Sequence, residues 1–172
     1  MSDMACPSTA AWGTACGMKI TTTADATCDT VLAEMKARVA GQYDKWYDPH
    51  NNGTYTTQSY GGTFSTSRRT GDNKYTDKQI FTLTPLAEKC KIEACSRSQV
   101  FSIFDMATNY CDLKMLYCGM ADGCKPVVHD FTVGQEATSK FAQSSVDLSA
   151  CLKVNKKGAL LERYLLEMVK QA

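Results

Sequence analysis

The sequence predicts a disulfide-stapled α+β fold. An antiparallel β-meander of about five to seven strands, forming a curved sheet or half-barrel, packs on one long N-terminal helix and a C-terminal helix. Three observations carry that prediction. Nine cysteines stand among 172 residues with only two histidines, and no Cys-x-x-Cys spacing occurs, so the sulfurs read as a disulfide framework rather than as zinc ligands. Apolar residues recur at helical spacing near the front of the chain and again at its end. Between those stripes lies a stretch rich in threonine, tyrosine and phenylalanine, punctuated by glycine pairs. A chain of this length suits a single domain spanning residues 1–172 and can bury about 70 per cent of its unfolded surface.

Taken in order, residues 1–23 form a loop-like lead-in pinned by Cys6 and Cys16, with Lys19–Thr23 a short strand because β-branched residues favour one. Asp25 suits a helix N-cap. Beyond it Cys28, Val31, Leu32, Met35, Val39, Tyr43 and Trp46 share one face of a helix over 25–47, with Glu34, Lys36 and Arg38 on the other face. Pro49 ends it. Asp48–Gly53 is turn chemistry, the Asn52-Gly53 pair being typical of backbone at positive φ. The same stretch is excluded as a calcium loop, because Ser59 stands where a bidentate glutamate is required.

Residues 54–119 read as the meander: Tyr55–Tyr60, Thr63–Arg69, Tyr75–Thr84, Lys89–Phe104 and Tyr110–Cys118 are its strands. A last hairpin turning near Ala107 sets Cys90 opposite Cys124 and Cys95 close to Cys118, which predicts two cross-strand bridges; a local Cys90–Cys95 loop is the rival. Eight paired cysteines and one spare allow about nine times 105 arrangements, so connectivity stays open. His129–Val133 and Val146–Val154 are candidate further strands. Leu160, Leu161, Tyr164, Leu165, Met168 and Val169 form a helical stripe over 156–171, which docks on the sheet or serves a partner.

A net charge of +1 is too small for counterion-driven binding to nucleic acid or to an anionic membrane. No apolar segment is long enough to span a bilayer. The cysteine content predicts secretion or another oxidising compartment. Asn52-Gly53-Thr54 is a glycosylation acceptor pattern at Asn52. Met1 to Gly17 lacks a charged start followed by an apolar run, so no signal peptide is expected within this sequence. The odd cysteine predicts a covalent dimer or a free thiol.

The stretch Gly41–Trp46 ahead of a meander, with a helix after it, resembles a lipocalin-type barrel in outline, although Tyr43 stands in place of that family's signature tryptophan. The element order is similar as well to cone-shaped domains of the nuclear-transport-factor type. Either shape implies a cavity at its mouth. The leading functional expectation is therefore a non-catalytic binding module for a small, mostly apolar ligand, lined by Trp46, Tyr55, Tyr60 and Phe64. An interaction or structural protein, acting as a subunit or surface factor through its sheet or terminal helix, is the alternative. A His-dependent enzyme built on His129 and an acid ranks third, with His50 expected in an exposed turn. No catalytic residue, metal ligand or cofactor is assigned.

Overall fold

The computed structural model describes residues 4–154. Its elements are β1 (Gly17–Ala24), α1 (Cys28–Ala40), β2 (Thr54–Gln58), β3 (Phe64–Arg69), β4 (Thr76–Leu86), β5 (Lys89–Ser98), α2 (Thr108–Tyr117), β6 (Ala137–Phe141) and α3 (Leu148–Leu152). The six strands make one sheet in the order β2-β3-β4-β5-β1-β6, every neighbouring pair antiparallel. Strands β2 to β5 are the expected meander. Gly61 and Gly62 turn β2 into β3, and Gly62 is required there: its φ is +68°, and a Cβ would stand 2.4 Å from the Phe81 carbonyl oxygen.

One face of the sheet is buried, and its composition changes along the strands. Register aligns Phe64, Phe81, Ala94 and Ile20 in one cross-strand row. The next row holds Thr66, Gln79, Ser96 and Met18, and the one beyond it Tyr55, Arg68, Asp77 and Ser98. All of these side chains are buried. The inner face is thus apolar at one end and polar at the other, and α2 lies across it. Arg68, Gln79, Asp77 and Asn109 of α2 are buried as deeply as Phe81 and Leu113.

Four disulfides hold this arrangement: Cys6–Cys95, Cys28–Cys90, Cys111–Cys151 and Cys118–Cys124. All four candidate cysteines of the 90–124 stretch are bridged, but neither Cys90–Cys124 nor Cys95–Cys118 forms, and the rival Cys90–Cys95 loop does not form either. The reason is that Tyr110–Cys118 is not a strand. It belongs to α2, which is buried from Asn109 to Tyr117 without a break. A helix covered on every side has no polar stripe to mark its period, so its apolar run reads equally as a strand. Without that hairpin, Cys95 reaches the N-terminal segment, Cys90 the first residue of α1, and Cys118 its near neighbour Cys124. The ninth cysteine, Cys16, is fully buried and donates to the Ser102 carbonyl at 3.4 Å, which does not favour the expected covalent dimer.

Other boundaries move as well. The long helix over 25–47 is a 13-residue α1, capped by Thr27 rather than Asp25. Tyr43 and Trp46 fall in the connection after it. The lead-in is not loop-like throughout, because β1 spans eight residues and sits inside the sheet between β5 and β6. Val100–Phe104 is irregular chain with Phe101, Ile103 and Phe104 exposed, not the end of a strand. His129–Val133 contributes only a bridge from Val133 to Ala24, and Val146–Val154 contains α3 instead of a strand. The C-terminal helix expected over 156–171 lies outside the described residues.

Glu34 and Arg38, expected on the solvent face of α1, are fully buried and bonded to each other at 2.7 Å. The chain after α2 covers that face: Glu34 accepts from the amides of Val127, Val128 and His129, and Arg38 donates to the carbonyls of Met115 and Cys118. Burial works against the Glu34 charge, but the Arg38 guanidinium and those three amides together hold its carboxyl below its ordinary value.

Candidate ligand-binding site

At the polar end of the sheet the inward-facing residues run out of apolar partners and meet a cavity of about 690 Å³. Its floor comes from Asp77 of β4 and Ser98 of β5, one side from His50 and Asn51, and the other from the 104–108 segment leading into α2. Two residues of that segment, Met106 and Ala107, hold left-handed backbone at φ 48° and 67°. Left-handed backbone is costly for a residue with a Cβ and persists only where its surroundings fix it. Here Asp105 fixes it, its carboxylate accepting from the amides of Ala107 and Asn109 and from the Asn109 side chain. Phe104 and Met106 stand largely exposed beside the opening.

Behind the floor lies a buried charge network centred on Arg68. Its guanidinium donates from Nε to Asp48 at 2.8 Å, contacts Asp112 from Nη1 at 3.2 Å, and donates from Nη2 to the His50 carbonyl. Gly53 makes room for it: a Cβ there would stand 2.1 Å from Arg68 Cζ. The turn therefore uses its residues differently from expectation. Asn51 and Asn52 take positive φ, while Gly53 has an ordinary backbone and is needed for space.

The neighbouring carboxylates are supplied unequally, Asp48 on both oxygens, Asp112 by hydrogen bonds on one, and Asp77 on neither. Asp48 accepts from Arg68, from the His50 amide and from the Tyr55 hydroxyl. Asp112 accepts from Ser96 at 2.9 Å and from Gln79 at 3.3 Å, besides its contact with Arg68. Asp77 is 1% exposed, and neither of its oxygens has a partner at good hydrogen-bonding geometry, although the Ser98 hydroxyl and the Asp112 carboxyl lie close enough to act on it. Burial pushes its carboxyl above the ordinary value, with Ser98 and Arg68 opposing the shift without cancelling it. Asp112 is raised further, first by burial and then by the Asp77 charge. Two buried acids side by side thus resist being ionised together.

His50 is buried, not exposed in its turn as expected, and lines the cavity. Nδ1 lies 3.0 Å from the Ala150 carbonyl, which fixes the proton there and leaves Nε2 to accept from Thr108 at 3.1 Å. Burial, with the Arg68 cation beside it, pushes its pKa down, so the ring is neutral near neutral pH. His129 is exposed and lies away from this cavity.

Of the four aromatic residues expected to line a site, none lines this cavity, and only Trp46 and Tyr55 pack on each other. Trp46 and Tyr55 are core residues, their ring centroids 6.1 Å apart. Phe64 packs on Phe81 and borders a second cavity of about 650 Å³, formed with the end of α1 and the β2–β3 turn. Tyr60 donates its hydroxyl to the Thr66 carbonyl. The residues that do converge, Arg68, Asp77, Ser98 and His50, carried a readable signal. They occupy the inward phase of strands whose other inward positions are Phe64, Phe81 and Ala94. Polar residues in an apolar phase point to a network.

Among the described residues no helix is long and apolar enough to cross a membrane, and no group of three or more His, Cys, Asp or Glu residues is placed to hold a metal ion. Comparison with protein-family models, with curated proteins and with solved structures finds no match to this chain.

Proposed function

We propose that the protein is a non-catalytic binding module for a small, mostly apolar ligand, seated in the cavity between the polar end of the sheet and the chain entering α2. The observation that carries this reading is the composition of that cavity. Tyr75, Phe104, Met106 and Ala107 supply apolar wall, and a few polar groups converge beneath it. Its volume of about 690 Å³ lies within the range of about 300–1,000 Å³ usual for small-ligand sites. The left-handed Met106 and Ala107 fit a wall held in shape before a ligand arrives.

The test uses N-phenyl-1-naphthylamine, a neutral fluorescent probe. The expected result is saturable binding of one probe per chain, blocked by Ser145→Trp, which enlarges an exposed residue of the cavity lining. Absence of saturable binding refutes the reading. Native mass spectrometry of protein purified from its source is then expected to show a retained small molecule.

The four disulfides fit an oxidising compartment. Secretion, with a glycan on Asn52, is part of the same proposal. An N-glycosidase mass shift on the native protein, absent after Asn52→Gln, tests it. A second reading, as an interaction protein, is favoured by one feature: Phe101, Ile103, Phe104 and Met106 are exposed along a single short segment. A stable protein partner retained in native mass spectrometry in place of a small molecule decides for it.

A further inference from the structure

We infer that the ligand of this cavity is an amphipathic amine, and that Asp77 is the counter-ion for its ammonium group. The inference rests on the binding reading above and adds the chemical class of the ligand.

Two independent observations converge on it. The first is the undersupplied carboxylate: Asp77 is 1% exposed, belongs to the cavity lining, and receives no well-formed hydrogen bond on either oxygen, with only the Ser98 hydroxyl and the Asp112 carboxyl close by. A buried acceptor without a partner is costly, and native proteins rarely leave one without a use. Its neighbours show what a supplied carboxylate looks like here, since Asp48 and Asp105 accept protein donors on both oxygens. The second is the charge balance. Asp48, Asp77, Asp105 and Asp112 are all buried around a single guanidinium, Arg68, and His50 is neutral. Lys153 lines the same cavity yet leaves both Asp77 oxygens without a donor. The site therefore lacks positive charge and hydrogen-bond donors at one point, and an ammonium group brings both.

The remaining lining narrows the class. Apolar wall from Phe104, Met106 and Ala107 asks for a hydrocarbon or aromatic body attached to the cation. An anionic head would face a cluster of buried acids whose one cation is already engaged. A metal ion is disfavoured by side-chain placement, since no three ligating groups converge among the described residues. A charged hydrogen bond formed out of water is stronger than a neutral one, so the amine is preferred over an alcohol of equal length.

The experiment titrates octylamine, 1-octanol and octanoate into the intact protein at neutral pH by calorimetry, for wild type, Asp77→Asn and Asp77→Glu. The expected result is octylamine binding about tenfold or more tighter than 1-octanol. That preference disappears in Asp77→Asn, whose affinity for 1-octanol is unchanged, and persists in Asp77→Glu, which keeps the charge. Unchanged 1-octanol binding shows that the variants remain folded. Equal affinity for amine and alcohol, an amine preference that survives Asp77→Asn, or tightest binding by octanoate overturns the Asp77 assignment and leaves the binding reading standing. Binding of none of the three probes refutes both.

Discussion

Replacing Asp77 by asparagine is expected to stabilise the ligand-free protein, the reverse of what most buried substitutions do. The carboxylate sits 1% exposed with no well-formed hydrogen bond on either oxygen, beside Ser98 and Asp112 and near Asp105. An unsatisfied buried acceptor costs about 1–3 kcal/mol, and more when charged. Asparagine removes the charge, keeps the volume, and brings an amide that can donate toward Asp112. A gain of about 1–2 kcal/mol is therefore expected, or about 2–8 °C in melting temperature for a chain of this size. The sign of the pH dependence follows from the direction of the shift. Asp77 is raised above its ordinary 3.8, so the folded state holds its proton more tightly than the unfolded chain does. The wild type then loses stability from this group as pH climbs above 3.8 and through the raised value. The advantage of Asp77→Asn should be absent at pH 3.8 and below, and should grow to a plateau as pH rises toward neutrality. Glu34, lowered instead, contributes stability that is lost as pH falls, but it does so equally in both proteins and cancels from the difference. Thermal melts of both proteins across acid to neutral pH measure the effect. A variant less stable than wild type at neutral pH, or a difference independent of pH, refutes the argument that Asp77 lacks a partner.

Gly53→Ala should unfold or severely destabilise the protein, by about 3–5 kcal/mol, because the new methyl occupies the place of the Arg68 guanidinium and separates it from Asp48 and Asp112; urea titration reads the loss. Deleting the Cys28–Cys90 bridge, which spans 62 residues, should cost about 4 kcal/mol, and deleting Cys118–Cys124, which spans 6, about 2 kcal/mol on loop entropy alone. Double alanine variants compared in urea give that order, and a reversed order refutes it. Iodoacetamide should label one thiol in the unfolded, unreduced chain and none in the native protein, since Cys16 alone is unbridged and is buried. Glu34→Gln should weaken the protein by about 1–3 kcal/mol at neutral pH and less in acid, because the charge that holds Arg38 and three backbone amides is then gone from wild type too.

What the sequence made legible was the part with strand composition and clear punctuation. Strands β2 to β5 are rich in threonine and aromatic residues and are separated by turn signals such as Gly61-Gly62 and Thr70–Asn73, so existence and order could be read directly. Helix α1 was legible by its stripe, but the stripe ran on through Tyr43 and Trp46, where a compact turn returns Trp46 to the core and leaves Tyr43 exposed. Helix α2 was not legible, since Asn109, Asp112 and Lys114 are as buried as Leu113 and Leu116. The cysteines declared a framework without its pairing, because pairing depends on that unseen helix. The candidate site was hidden for a related reason. Arg68 and Asp77 are polar, and only the strand phase says that they face inward.

Strand β1 has a consequence for how the chain assembles. It lies inside the sheet, yet both of its neighbours come later, β5 after the whole meander and β6 later still. The meander can zip up locally while β1 waits, an early-made ribbon with two open flanks and four inward residues, Met18, Ile20, Thr22 and Ala24, looking for cover. The Cys28–Cys90 bond forms four residues past the point where Ala24 meets Cys90 in the ladder, so oxidation there locks the alignment of the two strands. Sulfur chemistry and strand alignment are in this protein a single commitment, and a chain oxidised before β1 has found its place would be held out of register.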